Sequence, residues 1–139
     1  MSHISDILEK GRIYAVENSP ISMKKLLNVC EKRSNVIPIL NDAFHLERYE
    51  IIVPTVDFVY QDISQRNQAE IFIENIQKYL GKKGKAILMV KARSIDVSLK
   101  PKKVYDDVCS KLKKEKLKIF DVIDLSPYEK DHAAILVGV

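Results

Sequence analysis

The sequence predicts an α/β fold in which a largely parallel sheet is closed by an antiparallel hairpin. Strand-like apolar runs alternate with apolar residues at helical spacing along nearly the whole chain. Strands alternating with helices require parallel neighbours joined by right-handed crossovers. The hairpin follows from the last two strand-like runs, 117–125 and 133–139, which are separated only by the turn residues 126–131. A length of 139 residues leads one to expect a single domain over 1–139.

In order, Ile4, Ile7 and Leu8 give the tail of a helix closed by Gly11. Residues 12–17 (Arg-Ile-Tyr-Ala-Val-Glu) read as a strand. Ser19-Pro20 supplies an N-cap and a proline at the first helical position, and Met23, Leu26, Leu27 and Cys30 follow at helical spacing. Residues 36–40 form a strand in which Pro38 argues for an edge position. An irregular piece holding Phe44, Leu46 and Tyr49 precedes a strand over 56–60. Ala69, Phe72, Ile73, Ile76 and Leu80 make a helix ending at Gly81, and 82–85 (Lys-Lys-Gly-Lys) reads as a charged turn. The strand 85–90 is apolar on both faces, and a helix from Pro101 buries Val104, Val108 and Leu112 before the hairpin.

Apolar residues at 46% and charged residues at 30% fit a folded, soluble chain and exclude a disordered one. The longest apolar runs are strand-sized, far from the ~20 residues of a membrane helix, so no membrane association is expected. Residues 1–6 show no basic start and no apolar stretch, which predicts an intracellular protein without a secretory leader. Lys plus Arg is 23 against 19 for Asp plus Glu, a net charge of +4 compatible both with a nucleic-acid partner and with a lysine-rich solvated surface. The lysines at 111, 113, 114, 116 and 118 read as the wet side of a helix and its exit, with phosphate contact as the alternative. Cys30 and Cys109 stand apart with no Cys-x-x-Cys or Cys/His cluster, so neither a metal site nor a disulfide is expected.

Ligands of open parallel sheets bind beyond the carboxyl ends of the strands. Glu17, Asp42, Asp62 and Lys91 fall at four such ends. His132 begins the last, antiparallel strand and so lies on the same rim. Five ionisable residues are thereby expected along one edge.

Several blocks carry a resemblance. They are 14–17 (Tyr-Ala-Val-Glu), 35–43 (Asn-Val-Ile-Pro-Ile-Leu-Asn-Asp-Ala), 62–65 (Asp-Ile-Ser-Gln) with 67–69 (Asn-Gln-Ala), 91–96 (Lys-Ala-Arg-Ser-Ile-Asp) and 127–133 (Pro-Tyr-Glu-Lys-Asp-His-Ala). In order and spacing they resemble the fibrillarin family over essentially the whole chain, most of all its archaeal form. The resemblance implies a Rossmann-like, S-adenosyl-L-methionine-dependent methyltransferase sheet. It implies transfer of a methyl group to ribose 2′-hydroxyls of rRNA and tRNA, directed by box C/D guide RNA during pre-rRNA and tRNA processing. It also implies a Nop-domain scaffold protein and a kink-turn-binding protein as partners, in the cytoplasm of an archaeal cell.

By position, the resemblance gives Glu17 the cofactor's ribose hydroxyls, which suits a carboxylate able to accept two donors. Asn18 stands where relatives often carry an aromatic. Asp42 and Ala43 would meet the adenine. Asp62, Ile63, Ser64 and Gln65 would border the methionine end and the target ribose, with Ser64 where relatives often have alanine. Asp62, Lys91 and His132 match three members of the family's Lys-Asp-Lys-His reaction group. In this scheme Lys91 orients the 2′-hydroxyl and steadies its developing charge, Asp62 positions hydroxyl and lysine, and His132 adds a hydrogen bond or relays a proton.

The family pattern begins further upstream, with a small N-terminal domain, a strand, a glycine-rich turn and the first lysine of the group. Residues 1–6 enter partway into the helix after that turn, so the first central strand of the sheet is expected to be missing. The expectation is two half-sheets with unpaired backbone at the gap, unstable alone at about 1–3 kcal/mol per buried unpaired group. A mis-assigned start, a split gene and a decayed remnant would each produce this. The alternative to an enzyme is an inactive fragment or non-catalytic scaffold-binding module of the box C/D particle. A small-molecule methyltransferase would share only the sheet, and a nicotinamide enzyme would need a Gly-x-Gly-x-x-Gly motif that the chain lacks.

Overall fold

The computed structural model describes residues 1–8 and 10–139, which divide into two units, Met1–Pro54 and Thr55–Val139. The first holds α1 (Ser2–Ile7), β1 (Ile13–Glu17), α2 (Pro20–Cys30), β2 (Val36–Leu40) and a 3-10 turn at Leu46–Arg48. The Ser19 hydroxyl accepts from the Ser22 N–H at 3.3 Å and Pro20 opens α2, so the predicted cap and start are both present.

Met23 and Leu26 of α2 pack on Ile13, Ala15 and Val36, with Ile4, Leu8 and Cys30 at the margin. Two expected core residues stay in solvent: Ile7 is 77% exposed and Leu27 46%. Helix α1 is under two turns long and rests on this core through Ile4 and Leu8, while α2 faces it with the stripe of Met23, Leu26 and Cys30. Strands β1 and β2 pair in parallel from Ile13 opposite Val36 to Glu17 opposite Leu40. The proline at 38 is tolerated because, among the described residues, β2 has a ladder on one side only.

The second unit holds β3 (Val56–Gln61), α3 (Gln68–Tyr79), β4 (Leu80–Lys91), α4 (Ala92–Ile95), α5 (Pro101–Lys114), β5 (Lys118–Asp124) and β6 (His132–Gly138). Its sheet runs β3-β4-β6-β5. Strands β3 and β4 are parallel, joined through α3, and β6 is antiparallel to both of its neighbours. The hairpin folds so that its second strand, not its first, lies against β4. Phe72 and Ile76 of α3, Val104, Val108 and Leu112 of α5, Ala86, Leu88 and Val90 of β4, and Ala133, Ile135 and Val137 of β6 form one buried cluster. Alternation along β4 and β6 thus sends every second residue into the core and leaves the others on the opposite face.

The reading of 82–85 as a charged turn needs correction, because these residues belong to β4. Between the pairs Val56–Leu80 and Phe58–Lys85, β3 advances two residues while β4 advances five. Lys82 and Lys83 therefore leave the ladder as an excursion inside a strand that continues on both sides. Gly84 permits it: a Cβ there would lie 2.4 Å from Leu80 Cδ1 and 3.0 Å from the Asp57 carbonyl oxygen.

The expected parallel sheet is thus in two parts, and one edge of β1 and one of β3 carry no ladder among the described residues. Among those residues no helix is long and apolar enough to cross a membrane.

Candidate active site

Each rim residue stands at the strand end assigned to it from the sequence. Glu17 closes β1, Asp42 lies two residues past β2, Asp62 follows β3, Lys91 closes β4 and His132 opens β6. Glu17, Asn18, Asp42 and Ala43 belong to the first unit; Asp62, Ile63, Ser64, Gln65, Lys91 and His132 belong to the second.

In the second unit Lys91 Nζ lies 3.1 Å from Asp62 Oδ1 and donates to Ser64 Oγ at 3.0 Å. Lys91 and His132 are register partners across the β4–β6 ladder, so their side chains leave the same face of the sheet. His132 Nδ1 is 2.7 Å from the Lys130 carbonyl oxygen. A carbonyl can only accept, so Nδ1 carries the hydrogen, and in the neutral ring Nε2 keeps its lone pair. The arrangement presents an ammonium, a carboxylate and an imidazole acceptor within one strand-end cluster. Burial raises the pKa of the neighbouring Tyr60 phenol above its ordinary 10.0, and the negative charge of Asp62 adds to the rise.

Sequence reasoning missed the residue that fixes this cluster from beneath. Gln68, at the start of α3, is fully buried. Its Oε1 accepts from the Lys91 backbone N–H at 3.0 Å, and its Nε2 donates to the Gln65 carbonyl at 3.0 Å and the Lys91 carbonyl at 3.5 Å. Gln61 Nε2, at the end of β3, donates to the Gln68 carbonyl at 2.6 Å. Two buried side-chain amides thus join the ends of β3 and β4 to the start of α3, and that of Gln68 sets where Lys91 leaves the sheet. A signal existed: Gln68 occupies the apolar stripe of Phe72 and Ile76 at four-residue spacing, and a polar residue there needs partners.

A second tie, also missed, holds the histidine segment. Arg93 Nε donates to Asp131 Oδ2 at 2.9 Å, Arg93 donates to the Val97 carbonyl at 2.9 Å, and the Ala92 N–H donates to the Asp131 carbonyl at 3.0 Å.

In the first unit Glu17 Oε1 accepts from the Ser19 N–H at 2.7 Å, which holds the carboxylate at the β1–α2 turn. Glu17 borders a depression of about 260 Å³ that Ala15, Ser22 and Leu26 also line. Asp42 Oδ1 accepts from the Phe44 N–H at 2.9 Å, and the buried Tyr49 hydroxyl donates to the Ala43 carbonyl at 3.1 Å. Tyr49 is a further residue whose role was not legible: it shapes the segment carrying Asp42 and Ala43. Among the described residues no group of three His, Cys, Asp or Glu side chains could hold a metal ion.

A family model described as Fibrillarin matches residues 1–139. The chain belongs to the fibrillarin family. It is 46% identical over 136 residues to a fibrillarin-like rRNA/tRNA 2′-O-methyltransferase of Methanothermobacter thermautotrophicus, a match covering 98% of this chain and 61% of that relative. It superposes with a TM-score of 0.96 on fibrillarin in a crystal structure of a fibrillarin/Nop5p complex, at 42% identity, covering 99% of this chain and 66% of the other. Aeropyrum pernix fibrillarin, crystallised with natively bound S-adenosyl-L-methionine, matches with a TM-score of 0.86 at 42% identity, covering 97% of this chain and 59% of the other. The chain spans about 60% of the length of the curated fibrillarin relatives it matches. Structures of S-adenosylmethionine-dependent methyltransferases at 14–16% identity share the Rossmann-like fold, which is a likeness of fold alone.

Proposed function

We propose that this chain is the methyltransferase region of an enzyme that methylates ribose 2′-hydroxyls of rRNA and tRNA with S-adenosyl-L-methionine. The carrying observation is the cluster of Lys91 Nζ with Asp62 at 3.1 Å, held at a strand end with His132 as its cross-strand partner. Membership of the fibrillarin family supports the same reaction.

When bound, S-adenosyl-L-methionine supplies an electrophilic methyl group for in-line displacement. The residues present suit the cofactor. Glu17 offers a carboxylate oxygen for ribose hydroxyls beside the one occupied by Ser19, and Asp42 offers an acceptor for the adenine amine. In the first unit Asn18 and Ala43 adjoin these two acceptors in the sequence; in the second, the family resemblance assigns Asp62, Ile63, Ser64 and Gln65 to the methionine end.

For the target, Lys91 donates to the ribose hydroxyl oxygen and stabilises the negative charge that develops on it. Asp62 holds the ammonium in place and orients the hydroxyl. His132 Nε2 takes the hydroxyl proton, and the ring is steadied as it charges by the Nδ1–H bond to Lys130. Much of the rate enhancement in this scheme comes from alignment of oxygen, carbon and sulfur.

The Fibrillarin/Nop5p relative supports a Nop-domain scaffold as partner, and we place box C/D guide RNA and a kink-turn-binding protein in the same cytoplasmic particle. The test is methyl transfer to a guide-matched target RNA by the chain assembled with scaffold and guide. We expect label at one ribose, lost in Lys91→Ala while cofactor binding by calorimetry persists. Unchanged methylation in a folded Lys91→Ala particle would refute the assignment.

A further inference from the structure

Two lysine runs that are unrelated in the sequence meet in the second unit. Lys85 of β4 and Lys118 of β5 are both register partners of Gly138, one on each side of β6. Glycine leaves the space between them open, and the ring of Phe120 lies there, since a Cβ on Gly138 would come within 2.7 Å of Phe120 Cε2. The ammonium groups of Lys85 and Lys118 stand 5.6 and 5.1 Å from the ring centroid.

Two like charges are therefore gathered on one aromatic ring, whose quadrupole offsets part of their repulsion. Phe120 is 47% exposed, and no ion pair among the described residues includes Lys85 or Lys118. Lys82 and Lys83 sit on the β4 excursion just before Lys85, and Lys116 turns the chain into β5 at a φ of 62°. The acidic residues nearest Lys118 in the sequence, Glu115 and Asp121, accept from Gln77 at 3.3 Å and from the Val122 N–H at 2.8 Å, and among the described residues neither is in an ion pair with Lys85 or Lys118. One lysine would suffice to blunt an exposed edge strand against self-association. Two that converge on one ring, with neither in an ion pair among the described residues, form a seat for an anion.

We propose that Lys85, Phe120 and Lys118 bind phosphates of single-stranded RNA at a surface separate from the Lys91–His132 rim. The identity of the polyanion rests on the RNA-methyltransferase reading. Lys85 and Lys91 are six residues apart on β4, about 20 Å at ~3.3 Å per residue, so the seat contacts nucleotides beyond the one presented for reaction.

The test is binding of a labelled single-stranded oligoribonucleotide to the chain, followed by anisotropy across a range of salt. Each phosphate contact on a single strand contributes about 0.7 to the slope of log affinity against log salt. Lys85→Gln/Lys118→Gln is expected to lower the slope by about 1.4. Lys85→Arg/Lys118→Arg should keep it, and Phe120→Leu should weaken binding at fixed salt while both charges remain. If the double glutamine variant loses its circular-dichroism signal, each single variant should still lower the slope by about 0.7. An unchanged slope in folded glutamine variants overturns the seat but leaves the methyltransferase reading intact. Absence of RNA binding by the parent chain also overturns it, and cofactor titration of the same sample shows whether that reading fails too. Unchanged RNA binding with lost scaffold binding would make the surface a protein interface, again overturning the proposal.

Discussion

Arg93 and Asp131 tie together the two segments that carry Lys91 and His132. The guanidinium Nε donates to Asp131 Oδ2 at 2.9 Å, two residues after the lysine and one before the histidine. Asp131 also adopts a left-handed backbone with φ of 60°, which Asn shares readily and Ala does not. Asp131→Asn should therefore keep the fold, at a cost below about 1 kcal/mol for an exposed pair. Asp131→Ala should cost about 1–2 kcal/mol more, from the strain of the left-handed conformation. Urea denaturation of the two variants measures the difference, and equal stabilities would count against the backbone argument.

Gln68 is expected to matter more than any surface residue of the site. Gln68→Leu keeps the volume but leaves the Lys91 N–H and the Gln65 carbonyl without their partner. The expected loss is about 2 kcal/mol or more, given about 1–3 kcal/mol for each buried group left unpaired. Hydrogen exchange at the Lys91 amide should accelerate in the variant. A protected amide in Gln68→Leu would show that another group holds Lys91.

The Tyr60 phenol reports the charge on Asp62. Burial is the larger cause of its raised pKa and Asp62 the smaller. Asp62→Asn should therefore lower the Tyr60 pKa only part of the way, leaving it above 10.0 because the burial remains. Ultraviolet titration of tyrosinate, with Tyr60→Phe to assign the signal, measures the shift. No movement would mean that the carboxylate does not face the phenol.

Glu70 and Lys111 link α3 to α5 at 2.5 Å. Partial burial pushes the Glu70 pKa up, but the hydrogen bond from Lys111, a backbone hydrogen bond and the charge of Lys111 together outweigh it, and the pKa lies below 4.5. A carboxylate lowered in the folded state stabilises it above the unfolded pKa. That contribution is lost as pH falls through the folded value. Stability should thus decline below about pH 4.5, by under about 1 kcal/mol for this solvent-screened pair. Glu70→Gln should remove that part of the decline, read from denaturation midpoints in acid and at neutral pH.

Much of this architecture was legible residue by residue. Ser19-Pro20 starts α2 as its capping chemistry requires, and the Phe72–Ile76 stripe packs as its spacing demands. Lys91 and His132 were placed on one rim by strand direction alone, and the ladder makes them direct partners. The lysines at 82–85 were misread because glycine and charge signal a turn, whereas pairing on both sides of the excursion keeps them in a strand. Gln68 and Tyr49 were passed over because their hydrogen bonds run to backbone groups, which carry no mark in a sequence.

By itself, the sequence determined the elements, their order and the strand ends on which Glu17, Asp42, Asp62, Lys91 and His132 stand. Periodicity, caps and chain direction are local properties, and they are written in neighbouring residues. Only the tertiary structure decided that the last strand inserts beside β4, that a buried amide anchors the lysine, and that two remote lysines share one phenylalanine ring. Those are matters of which backbone edges pair and which side chains pack across them. Such contacts form between residues far apart in the chain, where spacing along the sequence carries no information about distance in space.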